Sequence, residues 1–369
     1  MKKLGFGFMR LPLTDPDNKA SIDIELTKKM VDEFLARGFT YFDTAWPYCA
    51  FNSENAIREA LVERYPRESF KLATKLHCAF LETKEDRDRI FNEQLRKTGA
   101  GYFDYYLIHS VYSDLYEKYT ALDCFEWLKE KKAQGLVKNI GFSFHDTPEF
   151  LDHALTEHPE MDFVQLQINY LDWDSERVQS EKCYRVARAH GKPIIIMEPV
   201  KGGTLANVPE EVEKMFREHS SDMSVPSWAI RYAAGLEGVF MVLSGMSDMS
   251  QLLDNTGYMQ DFKPLDEEEH AILREAAKMI RRSIAIPCTA CSYCTDGCPM
   301  NIPILDYFTL YNADKKKDYR PSRDKYNTVS AGKGLASECI ACGQCEGVCP
   351  QKLPIIENLK KVSKHFERK

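Results

Sequence analysis

Between residue 4 and about residue 260 the chain alternates short strand-like runs with longer segments of helical spacing, and that alternation leaves few folds open. "ELTKKMVDEFLARG" (25–38) has helical apolar spacing and a glycine stop. "FTYFD" (39–43) reads as a strand, "SENAIREALVERY" (53–65) as a helix with Ser53 as its N-cap, and "FKLATK" (70–75) as the next strand. "EDRDRIFNEQLRKTG" (85–99) and "YEKYTALDCFEWLKEKKAQG" (116–135) each predict one helix, with the strand "DYYLIH" (104–109) between them. Strands at 137–143, 163–169, 193–199 and 239–245 continue the series. With "LGFGFM" (4–9) as the first strand, the count reaches eight. Regular βα alternation implies parallel strands joined by right-handed crossovers. Eight units over this length predict a closed (β/α)8 barrel rather than an open sheet. No G-x-G-x-x-G follows the first strand, which weakens the open dinucleotide-binding alternative.

The strand ends are polar: Asp43, Lys75, His109, Ser143, Asn169 and Glu198. In such barrels the carboxyl ends of the strands form the active-site face. An acid, a lysine and a histidine on successive strand ends converge on one axis, and "FDTAWPY" adds Tyr48. A free tyrosine titrates near about 10. An ammonium about 4 Å from its oxygen stabilises the phenolate by roughly 4 kcal/mol at an effective dielectric near 20, or about three pKa units. This predicts Tyr48 near neutrality as a general acid–base, with Asp43 holding Lys75 and His109 aiming a substrate carbonyl. The set suits reduction of a carbonyl by an external hydride, or the reverse. Trp46, Tyr48 and His77 suggest aromatic pocket walls.

In order, spacing and strand position, Asp43, Tyr48, Lys75 and His109 in "YFDTAWPY", "LATKL" and "YLIHS" resemble the Asp-Tyr-Lys-His tetrad of the aldo-keto reductases. The resemblance runs over roughly residues 4–260. It implies an α/β (β/α)8 TIM barrel that binds NADH or NADPH, extended across its top face, and acts on a small carbonyl or alcohol. It also implies cofactor residues. Gly141 and Ser143 of "GFSFH" and Gln165 of "VQLQINY" fall where the family holds the carboxamide. Phe144 stands where the family has asparagine, and His145 follows. "EPVKGGTLA" (198–206), with Pro199, Lys201, Gly202 and Gly203, matches the loop over the pyrophosphate. In "SGMSDMSQLLDN" (244–255), Asp254 and Asn255 fall at the adenine, although the same segment also reads as an ordinary helix start. Gln251 lies where NADP-preferring members have arginine, and Gly245 and Met246 where they have lysine and serine. A 2′-phosphate lacks its usual cations there, with Lys201 the one cation nearby, so NADH is expected to bind at least as tightly as NADPH.

"CTACSYCTDGCP" (288–299) and "CIACGQCEGVCP" (339–350) repeat one spacing, and eight of the twelve cysteines lie in the last 82 residues. Cys49, Cys78, Cys124 and Cys183 are scattered and read as free thiols in or near the core. The run C-x2-C-x2-C-x3-C-P resembles that of bacterial ferredoxins, which hold [4Fe–4S] clusters. Zinc also uses C-x2-C pairs, though usually two pairs per ion rather than triplets followed by Cys-Pro. The resemblance implies two clusters. The fourth cysteine of each run would serve the other cluster, giving Cys288, Cys291, Cys294 and Cys349 for one, and Cys339, Cys342, Cys345 and Cys298 for the second. The wide spacing, and the helical "IPILDYFTLYNADK" (302–315) within it, resemble the helical dicluster ferredoxin type.

The expected organisation is a barrel over 1–264, a barrel-closing helix and linker over 265–286, and a small, mainly helical ferredoxin-like domain over 287–369. The net charge of −7 gives no reason to expect nucleic acid. Apolar runs such as "PIIIM" and "VFMVL" are too short to span a bilayer, and Arg10 interrupts the N-terminal apolar stretch. A cytoplasmic location is expected, where cysteine clusters point to metal rather than disulfides. The basic stretch "LKKVSKHFERK" (359–369) reads as a solvated helix or as a dock for an acidic redox partner. A nicotinamide gives two electrons as hydride, whereas a cluster takes one, so exchange between them needs a splitter such as a flavin. No flavin motif is present, though a barrel top has room for one. Three readings follow: clusters that exchange electrons with the barrel or a partner, clusters that only staple the C-terminal domain, and an electron-transfer module with an inert barrel.

Overall fold

Parallel pairing runs without a break around eight strands in chain order, and β1 closes on β8. The strands are β1 (Leu4–Gly7), β2 (Tyr41–Asp43), β3 (Lys71–Leu76), β4 (Phe103–Val111), β5 (Val137–Phe144), β6 (Phe163–Gln167), β7 (Ile194–Met197) and β8 (Val239–Gly245). The structure is a computed structural model and describes residues 1–315 and 323–367. The last two residues of the basic C-terminal stretch, Arg368 and Lys369, lie outside the described residues. The barrel interior is filled by Tyr41, Ala73, Leu107, Phe163, Ile195, Met241 and Leu243. A larger core lies between strands and surrounding helices, where Phe6, Phe34, Phe42 and Phe70 interlock. This two-shell core is what alternate in–out strand residues produce when a parallel sheet closes.

Two local expectations are corrected. Ser53 does not cap its helix; Asn52 holds that position. The Ser53 hydroxyl is buried instead, bonded to Thr44 Oγ1 at 2.7 Å and to Phe8 O at 2.9 Å, which ties the start of the helix to the barrel top. The single helix expected over 116–135 is two, Ser113–Ala121 and Cys124–Ala133. Asp123 between them is left-handed (φ 48°), and Arg87 on the neighbouring helix donates to the carbonyls of Leu122 and Asp123.

The helix Glu267–Ser283 begins with a capping box between Asp266 and Glu269. It is pinned to the barrel by a buried pair, Arg231 to Glu269 at 2.6 and 3.0 Å, and by Arg281, which reaches Asp174 and the Leu171 carbonyl. Beyond it, short helices build a separate core from Ile302, Tyr307, Phe308, Tyr326, Leu359 and Phe366. Tyr326 stacks between Tyr307 at 4.5 Å and Phe366 at 5.1 Å. No helix among the described residues is long and apolar enough to cross a membrane.

Candidate active site and cluster cavities

β2 and β3 bring Asp43 and Lys75 side by side at the barrel top. Lys75 is fully buried, and its Nζ donates to Asp43 Oδ1 at 2.6 Å and to the Thr44 carbonyl at 2.8 Å. Its third contact is the Tyr48 hydroxyl at 3.5 Å. Burial pushes the Asp43 carboxyl up and the Lys75 ammonium down, while each draws the other back toward its charged form. Tyr48 opens a turn in which Cys49, Ala50 and Phe51 are all left-handed (φ 50°, 49° and 66°), a costly run for side chains with a Cβ. His109, at the end of the axis formed by β4, stands edge-on to Tyr48 with ring centroids 6.0 Å apart, and its Nδ1 has no partner.

The expectation of a near-neutral Tyr48 is not met. Burial dominates and pushes the phenol well above its ordinary value, with Asp43 and Glu198 adding to the rise. The Lys75 ammonium is already committed to Asp43 and Thr44, so little of its field remains for the phenol. Burial also keeps three imidazoles neutral: His77 and His145 are each pushed down to about 4, and His109 falls well below its usual range.

The expected cofactor residues are only partly grouped. Ser143 and Gln165 are adjacent across β5 and β6 and buried. The Ser143 hydroxyl accepts from Ser110 N–H at 2.8 Å, and Gln165 Oε1 has no partner. Phe144 turns outward into the core. Asp254 accepts from Ser224, and Asn255 bonds Ser244 and Tyr258 within the barrel wall. Gln251 is spent on Asp248 and the Ser247 N–H at the helix start. The loop after β7 is where the largest difference lies. Lys201 is buried and donates to Asp172 Oδ2 at 2.5 Å and to Gln351 Oε1 at 2.7 Å. Gln351 in turn donates to Glu198 at 3.3 Å, close to Pro199. A Cβ built on Gly202 would lie 2.1 Å from the Thr289 carbonyl oxygen. Thr289 and Gln351 belong to the C-terminal domain, which therefore sits directly on this loop.

Arg10 completes the contact, donating from Nη2 to the same Thr289 carbonyl at 3.0 Å. It also lies against Gly245, and its carbonyl accepts from Ser247. Lys201 is thus not the one cation near the segment 244–255. Arg10, Tyr293 and Gln351 carry no sequence signal as site residues, because only the docking of two domains brings them here. Tyr293, between two cysteines of the first run, has its phenol pushed well up by burial and then by the nearby Tyr48.

The eight cysteines divide between two cavities. Cys288, Cys291, Cys294 and Cys349 line one. Cys298, Cys339, Cys342 and Cys345 line the other. The fourth cysteine of each run thus sits with the three of the other. Among the described residues no three His, Cys, Asp or Glu side chains stand close enough to hold a single ion. The runs share one backbone pattern: Ala290 and Ser292 in the first and Ala341 and Gly343 in the second are at positive φ, as are Asn301 and Lys352 just beyond them. Such alternation turns successive N–H groups to one side and makes the anion-binding concavities found at iron–sulfur sites. Ala290 N–H already donates to Cys288 Sγ at 3.5 Å. These residues fit a cluster in each cavity.

Residues 3–278 match the aldo/keto reductase family, and residues 287–353 match a 4Fe-4S dicluster domain. One curated relative is a 4-dihydromethyl-trisporate dehydrogenase of Mucor mucedo, 29% identical in an alignment of 160 residues that covers 36% of this chain and 48% of that protein. The chain therefore spans about half the length of that relative. Another is an NAD/NADP-dependent indole-3-acetaldehyde reductase of Schizosaccharomyces pombe, 24% identical over 66% of this chain and 84% of that one. Among solved structures, the aldo-keto reductase AKR11C1 of Bacillus halodurans in its holo form superposes with a TM-score of 0.60 at 24% identity, over 75% of this chain and 92% of that one. An aldo-keto reductase of Klebsiella pneumoniae in complex with NADPH gives 0.57 at 18% identity, over 74% and 90%. The barrel and these matches agree: the chain belongs to the aldo/keto reductase family and carries a C-terminal 4Fe-4S dicluster domain.

Proposed function

We propose that the protein interconverts a small carbonyl compound and its alcohol at the barrel top, with Tyr48 moving the proton at the substrate oxygen. The observation that carries this reading is the position of Lys75, enclosed by Asp43, Thr44 and the Tyr48 hydroxyl with no access to water. The Lys75 ammonium, held in place by Asp43 and Thr44, orients the phenol through its contact with the Tyr48 hydroxyl. The raised Tyr48 phenol stays protonated at neutral pH, the form that a proton donor needs. Neutral His109 offers a second hydrogen bond to the same substrate oxygen.

Reducing one carbonyl takes two electrons and two protons. We infer one [4Fe–4S] cluster in each cysteine cavity, and when bound such clusters supply one-electron transfer. Two of them would hold the two electrons of one turnover, delivered by a one-electron redox protein, and a bound two-electron carrier such as a flavin would be needed to pass them to the carbonyl carbon as hydride, the second proton coming from solvent. Cys294, Cys345 and Cys349 also belong to the C-terminal core, which favours a second role for the clusters as staples of that domain. The resemblance implies NADH or NADPH at the barrel. Ser143 and Gln165 suit its carboxamide, but the residues around Lys201 and Gly202 do not fit its pyrophosphate while Thr289 and Gln351 lie on them.

Tyr48→Phe tests the proton role. Carbonyl reduction driven by reduced viologen should fall by about a hundredfold or more, with iron content and fold unchanged. Full activity in that variant would sink the proposal.

A further inference from the structure

We propose that docking of the C-terminal domain and binding of a nicotinamide dinucleotide extended across the barrel top are mutually exclusive. The inference holds whether or not Tyr48 moves a proton, since it concerns occupancy and not chemistry. In barrels of this kind, phosphate groups are received by the loops after strands 7 and 8. After β7, Gly202 and Gly203 are both at positive φ (63° and 96°), the conformation that lets bare backbone face a ligand. That space is already taken: the Thr289 carbonyl oxygen lies where a Gly202 Cβ would be, at 2.1 Å.

The docked domain also imitates what it displaces. An oxyanion on this loop would draw on Lys201 and Arg10. Lys201 instead donates to the Gln351 side-chain oxygen at 2.7 Å, and Arg10 to the Thr289 carbonyl at 3.0 Å. Two neutral oxygens of the C-terminal domain thus hold the two cations on the rim. Asp172 neutralises Lys201 from below, so the loop remains satisfied without a phosphate. A dinucleotide can be seated only by lifting the segment around Thr289 and breaking the Gln351 contacts.

The test titrates NADPH and NADH, by fluorescence, into anaerobically prepared protein with its clusters loaded. Gln351→Ala removes the acceptor for Lys201, and Gln351→Lys sets a like charge against it. Both should tighten dinucleotide binding, Gln351→Lys by at least about tenfold, with iron content unchanged. Hydrogen exchange of the backbone over 287–292 should rise when the wild-type protein is saturated with NADPH; this measurement needs no variant. Equal affinity in all three proteins with unchanged protection of 287–292 overturns the proposal. So does the absence of binding in all three. Viologen-driven carbonyl reduction in Tyr48→Phe is a separate measurement, so failure of the proton role and failure of this proposal are told apart.

Discussion

The Tyr48 phenol lies among Asp43, Glu198 and Lys75, and its protonation sets how rate depends on pH. With its titration pushed far up by burial, the phenol is protonated throughout the neutral range. Carbonyl reduction should therefore be flat with pH from about 6 to 9, while alcohol oxidation, which needs the phenolate, climbs as pH rises. Parallel profiles in both directions check this; a reductive limb near neutrality that disappears in Tyr48→Phe contradicts it. His77 and His145 set a different limit. Each is held near 4 in the fold by burial, against an ordinary value near 6.5. Below that ordinary value the unfolded chain takes up protons that the fold refuses, so stability is lost as pH falls from about 6.5 through 4. Thermal melts across that window should show the loss, and His77→Asn or His145→Asn should flatten it. Arg10 bears on cofactor choice: freed from Thr289, it lies beside 244–255, the stretch that lacks its own cation.

Strands and helices were mostly legible, because most β runs are short, largely apolar and ended by a polar residue. The break at Leu122–Asp123 was not, since Arg87 from another helix holds it open and no glycine or proline marks it. At the other face of the barrel, Asp104 is buried among Arg67, Lys71 and Lys138 and accepts the Leu72 N–H. Asp104→Ala removes the acceptor of the buried Leu72 N–H and a partner of Arg67, while Lys71 and Lys138 can turn to solvent, and should cost about 1–3 kcal/mol in denaturant unfolding, with little change in kcat. The two cysteine runs were legible through spacing alone. Serine at Cys298 should damage the cluster of Cys339, Cys342 and Cys345 and spare the other, as iron analysis and electron paramagnetic resonance will show. Loss of the Cys288 set instead would mean the runs do not cross. What spacing did not reveal is that Tyr293 and Thr289, inside the first run, face the barrel, because a backbone carbonyl contact leaves no trace in residue type.

At the scale of the whole molecule, two cores are joined by a very short connection. The helix Glu267–Ser283 is fixed to the barrel by Arg231 and Arg281. Asn312 of the C-terminal core already grips both backbone groups of Ile286, at 2.8 and 2.7 Å. Only Ile284 and Ala285 lie between these anchors. A tether of that length keeps Thr289 within reach of Gly202 at every instant, so docking proceeds at an effective concentration in the millimolar range or above and is blind to dilution. A diffusing dinucleotide meets a rival that never leaves. Its apparent affinity is its intrinsic affinity scaled by the fraction of molecules undocked. Lengthening the connection with a flexible glycine–serine insert after Ala285 would dilute the rival, and would tune the barrel's cofactor affinity without touching any residue of its site.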